Sequence, residues 1–286
     1  MTRAKQAEEL GPWGLKRRVP DHGSVLDADD QALFQQLPEL EDPRLVSGTA
    51  VFPAMAATDN ASCIVSLLPH VSDSTRLHAP AAMNLCRTAM ESAARTIWLL
   101  SPSDRETRLQ RTTSLAGKEW HEQGTFFTHS EKVHRGRLSA NAEPSRAEHR
   151  AQSRRYRDIA EAATIIGFDR PTKAIEIAGQ WIDDHPPEHA RDEVTRFGVK
   201  HLAQQTYCMT SSTVHGYKWV HEHVGRDGTG LFNGMADALA MALIFTESAV
   251  ALFEALSIGN SAREYPRPEY PQRLKPTIRA WASKYR

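Results

Sequence analysis

The sequence predicts an all-α protein, a single irregular antiparallel helical bundle with a flexible N-terminal arm and a basic, proline-rich C-terminal tail. Three observations predict it. Apolar residues recur at spacings of three and four in several long segments, no run alternates in the way a half-buried strand requires, and proline and glycine fall between the periodic segments. At 286 residues the chain is long enough to bury a substantial core. The expected division is an arm over 1–27, a bundle over 28–260 and a tail over 261–286.

The arm holds Pro12, Gly14, Pro20 and Gly23 without sustained periodicity, which predicts a mobile or wrapping segment. A short helix is expected at 28–37. From Val51 to Leu68 the apolar residues support a second helix, with Pro53 in its first turn and Pro69 ending it. The clearest periodicity runs from Ala82 to Leu100, where Met83, Cys86, Met90, Ala93, Ile97 and Leu100 form one stripe. Ser101-Pro102-Ser103-Asp104 then reads as a stop, a turn and a new N-cap, followed by a helix from Arg105 to about Phe127. These last two helices are expected to pair as an antiparallel hairpin.

The stretch 134–146 is linker-like and is expected to be a loop leading into a helix that Gly167 caps. A short helix follows near 171–181. The Asp183-to-Pro187 turn then introduces one long helix over Ala190–Val214 that ends near Gly216. Leu231–Leu256 forms the last helix, with Gly259 as its stop. Asp237, Glu247 and Glu254 interrupt the apolar stretch Met235–Ile258, so it is expected to be a core helix rather than a membrane span. The tail, with Pro266, Pro268, Pro271 and Pro276, should be extended.

Equal numbers of basic and acidic residues, 35 each, remove any global electrostatic argument for a nucleic-acid or membrane partner. Cys63, Cys86 and Cys208 lack metal-type spacing and read as buried free thiols of a reducing cytoplasm, and the first residues lack the apolar core of a secretory signal. No dinucleotide fingerprint, phosphate loop or nucleophile elbow is present. His185 and His189 straddle two prolines, and His221 and His223 fall in a polar loop, so neither pair has the frame of a zinc site; no metal and no cofactor is expected.

Chemistry can be carried by three groups of residues. Arg87, Glu91 and Arg95 follow one another at i,i+4 beside the apolar stripe, either as an ion-pair ladder or as an inward-facing polar site. His215 closes a segment rich in hydroxyl residues at a helix C-terminus, where the dipole favours imidazolium; it can move a proton or simply cap the helix. Arg196 and His201 stand five apart, a spacing at which a histidine can move a proton while an arginine stabilises phosphorane charge. The one dense basic segment, 132–157, includes Arg146, Arg150, Arg154 and Arg155, which are candidates for contact with an RNA backbone.

Two blocks, Leu85 to Pro102 and Tyr207 to Gly216, resemble uncharacterised all-helical actinobacterial proteins. In those, an arginine and a glutamate on one helix precede a tryptophan-leucine-leucine and proline stop, and a later serine-rich helix ends in histidine-glycine; Arg87, Glu91, Trp98 and His215 are the matching positions. That group is in turn similar in pattern to the HEPN superfamily of helical bundles, which includes ribonuclease toxins, abortive-infection proteins and inert members. The HEPN arginine-to-histidine motif is matched here by Arg196 and His201 alone. The resemblance implies RNA as partner, metal-independent cleavage by one of these histidines, and a defence or toxin setting. A homodimer through apolar helix faces is compatible with it, and a membrane partner is not expected. The alternative is a non-catalytic helical module in regulation or interaction.

Overall fold

The computed structural model describes residues 2–16, 18–38, 42–71, 79–135, 142–162, 170–223, 229–259 and 270–285. Among these residues every regular element is helical and none is a strand. The chain divides into two compact units, Met1–Ser103 with Phe168–Arg286, and Asp104–Gly167. Of the stretch 134–146, expected as a loop, residues 134–135 end one helix and 142–146 begin the next, while 136–141 lie outside the described residues.

In the larger unit the sequence order begins with α1, Arg3–Gly14, where an arm was expected. Thr2 caps it by accepting from the Lys5 amide, and Ala7, Leu10 and Trp13 are fully buried. Their i, i+3, i+6 spacing places them on one helix face. It is a core helix that packs along α3, Leu45–Val71. Between them α2, Val25–Gln36, is capped by Ser24 after Gly23 turns the chain at φ 72°.

α3 starts earlier than its apolar pattern suggested, so Pro53 lies inside it, and it continues through Pro69. Proline removes a helical N–H and crowds the preceding turn. There the Ala50 carbonyl accepts from the buried Thr96 hydroxyl of α4 at 2.8 Å, binding the disturbed turn to its neighbour.

α4, Ala79–Leu100, is the centre of the unit and packs on α3, α7, α9 and α11. All six residues of its predicted stripe are buried, each worth roughly 1–3 kcal/mol of transfer free energy for the larger side chains. Its expected hairpin partner falls in the other unit. Cys86 is buried in this stripe, and burial pushes its thiol up to about 12, whereas Cys63 and Cys208 are exposed, contrary to expectation.

After α7, Pro171–Asp184, the predicted long helix is broken. A 3-10 turn at Glu188–Ala190 leads into α8, Arg191–Phe197, and α9 runs from Lys200 to Val214. Gly198 at φ 68° ends α8, and the Asp183 carboxylate receives the amides of Val199 (2.6 Å) and Lys200 (3.0 Å) to start α9. A Cβ at Gly179 of α7 would lie 2.8 Å from the Lys200 Cα, so glycine permits this close seating. The break is therefore made by a carboxylate on another helix, which periodicity does not register.

α10, Trp219–His223, is a short helix where a loop was expected. α11, Thr229–Ser257, is predominantly apolar, as a central helix must be, and every residue from Met241 to Ser257 is buried. The expected Gly167 cap and most of the proline-rich tail, 260–269, lie outside the described residues. Beyond them the chain is helical rather than extended: α12, Lys275–Ala282, follows a 3-10 turn, with Pro276 in its first turn. Its Trp281 is buried edge-on against Trp181 of α7.

The smaller unit contains α5, Arg105–Arg135, and α6, Ala142–Ala162, packed as an antiparallel pair. Asp104 caps α5 by accepting from the Thr107 amide at 2.8 Å.

Candidate functional site

On α4 the turn of helix between Arg87 and Glu91 brings the guanidinium to 2.9 Å from the carboxylate. α9 completes the group: the Tyr207 hydroxyl donates to Glu91 at 2.8 Å, and the Arg87 guanidinium lies 5.4 Å above the Tyr207 ring. Burial and the hydrogen bond to Glu91 raise the Tyr207 phenol above its usual pKa, so it remains a donor. Burial opposes the Arg87 charge, but the bond to Tyr207 and the charge of Glu91 outweigh it and raise its pKa. The three groups satisfy one another, and an incoming anion would have to compete with Glu91 for Arg87.

His215 is not part of this group. Thr213 and Met83 approach at 3.7 Å one level beyond the Arg87–Tyr207 contact, so α4 and α9 run antiparallel there, and His215 sits about 12 Å further along α9 than Tyr207. It is the exposed C-cap of α9, its amide donating to Ser211, with its ring 5.7 Å from that of Tyr217. Arg95 is exposed further along α4. Arg196 and His201 are both exposed, on α8 and α9 respectively, and the positive-φ Gly198 separates them, so the five-residue spacing does not correspond to one helical frame. Arg196 lies over the Phe197 ring at 5.1 Å.

In the smaller unit, α6 displays a basic and aromatic face. Arg146 and Arg150 reach Glu131 of α5 at 3.9 and 3.4 Å, so these two arginines are partly neutralised by the opposing helix. Arg157 reaches Thr128 at 2.6 Å and Ser153 at 2.9 Å, with its stem over Gly124, where a Cβ would meet the Arg157 Cγ at 3.3 Å. Arg154, Arg155 and Arg157 are exposed. The same hairpin carries a row of rings: Phe126, 64% exposed, sits edge-on to Phe127 at 5.5 Å, and the half-buried Phe127 and Tyr156 stack at 5.9 Å and 4°. Tyr156 stands between Arg155 and Arg157 in sequence. The arginines are legible in the sequence and the rings are not, because Phe126, Phe127 and Tyr156 come from two helices whose register only the hairpin sets.

A further buried group escaped notice as well. The α11 carboxylate of Glu247, 1% exposed, is 2.9 Å from His189 Nε2 and accepts from Arg273 Nε at 2.8 Å, while His189 Nδ1 is 3.0 Å from the Thr277 hydroxyl. Burial pushes the Glu247 carboxyl up, but the hydrogen bond and charge of His189, with Arg273, hold it below the usual range. Hydroxyl, imidazole and carboxylate follow in the order of a hydrolase triad. Thr277, however, has no exposed surface and Glu247 is tied to Arg273, so this group holds elements together rather than meeting a substrate. His185 has other partners, the Trp181 carbonyl and ring, and among the described residues no cluster has the composition of a metal site.

No family model, curated protein or solved structure matches this chain.

Proposed function

We propose that the protein binds RNA, and that the α5/α6 hairpin is the binding element. The observation that carries this reading is that one hairpin carries both the exposed Arg154, Arg155 and Arg157 and the ring row Phe126–Phe127–Tyr156, with Phe126 exposed. Arginines on one helix neutralise a phosphate backbone without regard to sequence, and exposed rings offer faces on which unpaired bases stack. The pairing of both chemistries favours an unpaired strand, and the resemblance to HEPN-like proteins favours RNA as its identity.

Binding is favoured over cleavage. Arg87 and Glu91 are engaged with each other and with Tyr207, and Arg196 and His201 lie on separate helices, so neither set offers a free base beside a free guanidinium. The test is fluorescence anisotropy of a labelled single-stranded RNA against the full chain over a range of salt. Binding should weaken steeply with salt, and the Arg154→Ala/Arg155→Ala variant should reduce the slope of log K against log salt by about 1.4, roughly 0.7 for each phosphate no longer neutralised. Phe126→Ala should cost about 1–3 kcal/mol of affinity. No binding at low salt, or a double variant that binds as the parent does, would overturn the proposal.

A further inference from the structure

The seam between α1 and α3 opens into a cleft of about 470 Å³, a size that suits a small molecule rather than a folded partner. Pro12 and Leu15 line it from α1, and Phe52 and Met55 from α3. Its ionisable lining among the described residues consists of two carboxylates, Glu8 on one helix and Asp59 on the other, with no lysine, arginine or histidine.

The way the two helices meet explains why the cleft exists. A Cβ on Gly11 would lie 2.8 Å from Ser62 Oγ, and one on Gly14 would lie 2.1 Å from Thr58 Oγ1, so glycines let α1 seat closely along this line of α3. The large side chains beside that line stay uncovered: Leu15 is 81% exposed and Phe52 69%. On α3 beside this line Phe52, Ala56 and Asp59 are exposed.

We infer that this cleft binds a small organic cation with an apolar body. The ammonium group sits between Glu8 and Asp59, and the hydrocarbon lies against Phe52, Met55, Pro12 and Leu15. Carboxylates on both walls and an aromatic face at the rim select a cation over a neutral or anionic molecule of the same shape. The inference is independent of RNA binding, which belongs to the other unit.

Phenylethylammonium, 2-phenylethanol and phenylpropionate, titrated separately into the full chain by calorimetry, test it. The expected result is saturable one-to-one binding of the ammonium compound, weaker binding of the alcohol and none of the carboxylate. Glu8→Gln with Asp59→Asn should weaken ammonium binding tenfold or more, and Phe52→Ala should weaken both ammonium and alcohol. All three side chains are exposed, so these variants should keep the parent melting temperature. Absence of saturable ammonium binding, equal binding of the three compounds, or an unchanged affinity in the Glu8/Asp59 variant would each overturn the inference.

Discussion

Charge is treated in opposite ways by α11 and α6. On α11, Glu247 and Glu254 stand at i and i+7 in a predominantly apolar helix, and both are withdrawn from water. Each is met by partners brought from far along the chain. Glu254 accepts from Trp13 Nε1 at 2.8 Å and lies 3.3 Å from Arg18, which also stacks over Trp13; Glu247 meets His189 and Arg273. Arg273 in turn donates to the Gln6 carbonyl at 2.8 Å and pairs with Glu9, both on α1. The two glutamates thus tie both ends of the chain to the central helix. On α6 the arginines are partly paired across the hairpin and partly displayed to solvent. Buried charges are fixed by the cost of leaving them unpaired, and only exposed ones can meet a ligand.

The largest effect that would sharpen this contrast is expected at Glu247. Glu247→Ala leaves Arg273 and His189 without their buried carboxylate and should cost about 3–5 kcal/mol by chemical denaturation. A loss below about 1 kcal/mol would mean the cluster is no tether. The pH dependence follows from the lowered pKa. A carboxyl held below its unfolded value of 4.5 contributes stability that is present above that value and is lost as pH falls through the folded pKa. The parent should therefore lose stability below about pH 4.5 more steeply than Glu247→Ala.

Asp30 of α2 offers the opposite sign. Buried, it accepts from the Ser47 amide at 2.9 Å and the Ser47 hydroxyl at 2.6 Å, but burial dominates and raises its pKa to about 6. The folded state then holds the proton more tightly than the unfolded state, so this group makes stability fall as pH rises from 3.8 to about 6. Asp30→Asn, which keeps an acceptor for the amide, should remove that slope and be more stable relative to the parent at pH 7 than at pH 4, by about 1–3 kcal/mol. Equal differences at the two pH values would break the prediction.

The smallest effect is expected on α6. Arg154→Ala with Arg155→Ala should change stability by no more than about 0.5 kcal/mol while changing RNA affinity. A large destabilisation would place these arginines with the buried charges of α11 rather than apart from them.

Of the fold, the helical class, the central stripe of α4 and the buried nature of α11 were all legible in the sequence, since each is a local pattern of apolar residues. The role of α1 was not, because a twelve-residue segment interrupted by Pro12 gives a weak periodic signal, and what fixes it is Trp13 reaching Glu254 across the core. The break at Gly198 was likewise invisible, since the carboxylate that restarts the helix belongs to α7. Among the candidate residues, the i,i+4 pairing of Arg87 with Glu91 was readable as helical geometry, while its completion by Tyr207 required α9 to lie antiparallel beside α4.

By itself, then, the sequence determined the helical class and the inward faces of strongly periodic segments such as α4, because those depend on residues within a few positions of one another, whereas α1, the α8/α9 break and α12 did not announce themselves locally. Which charges are buried as partners and which remain on show was decided by tertiary structure alone, because Coulombic and hydrogen-bonded pairs such as Trp13 with Glu254, or Arg273 with Glu247 and Glu9, join residues whose separation along the chain carries no trace of their contact.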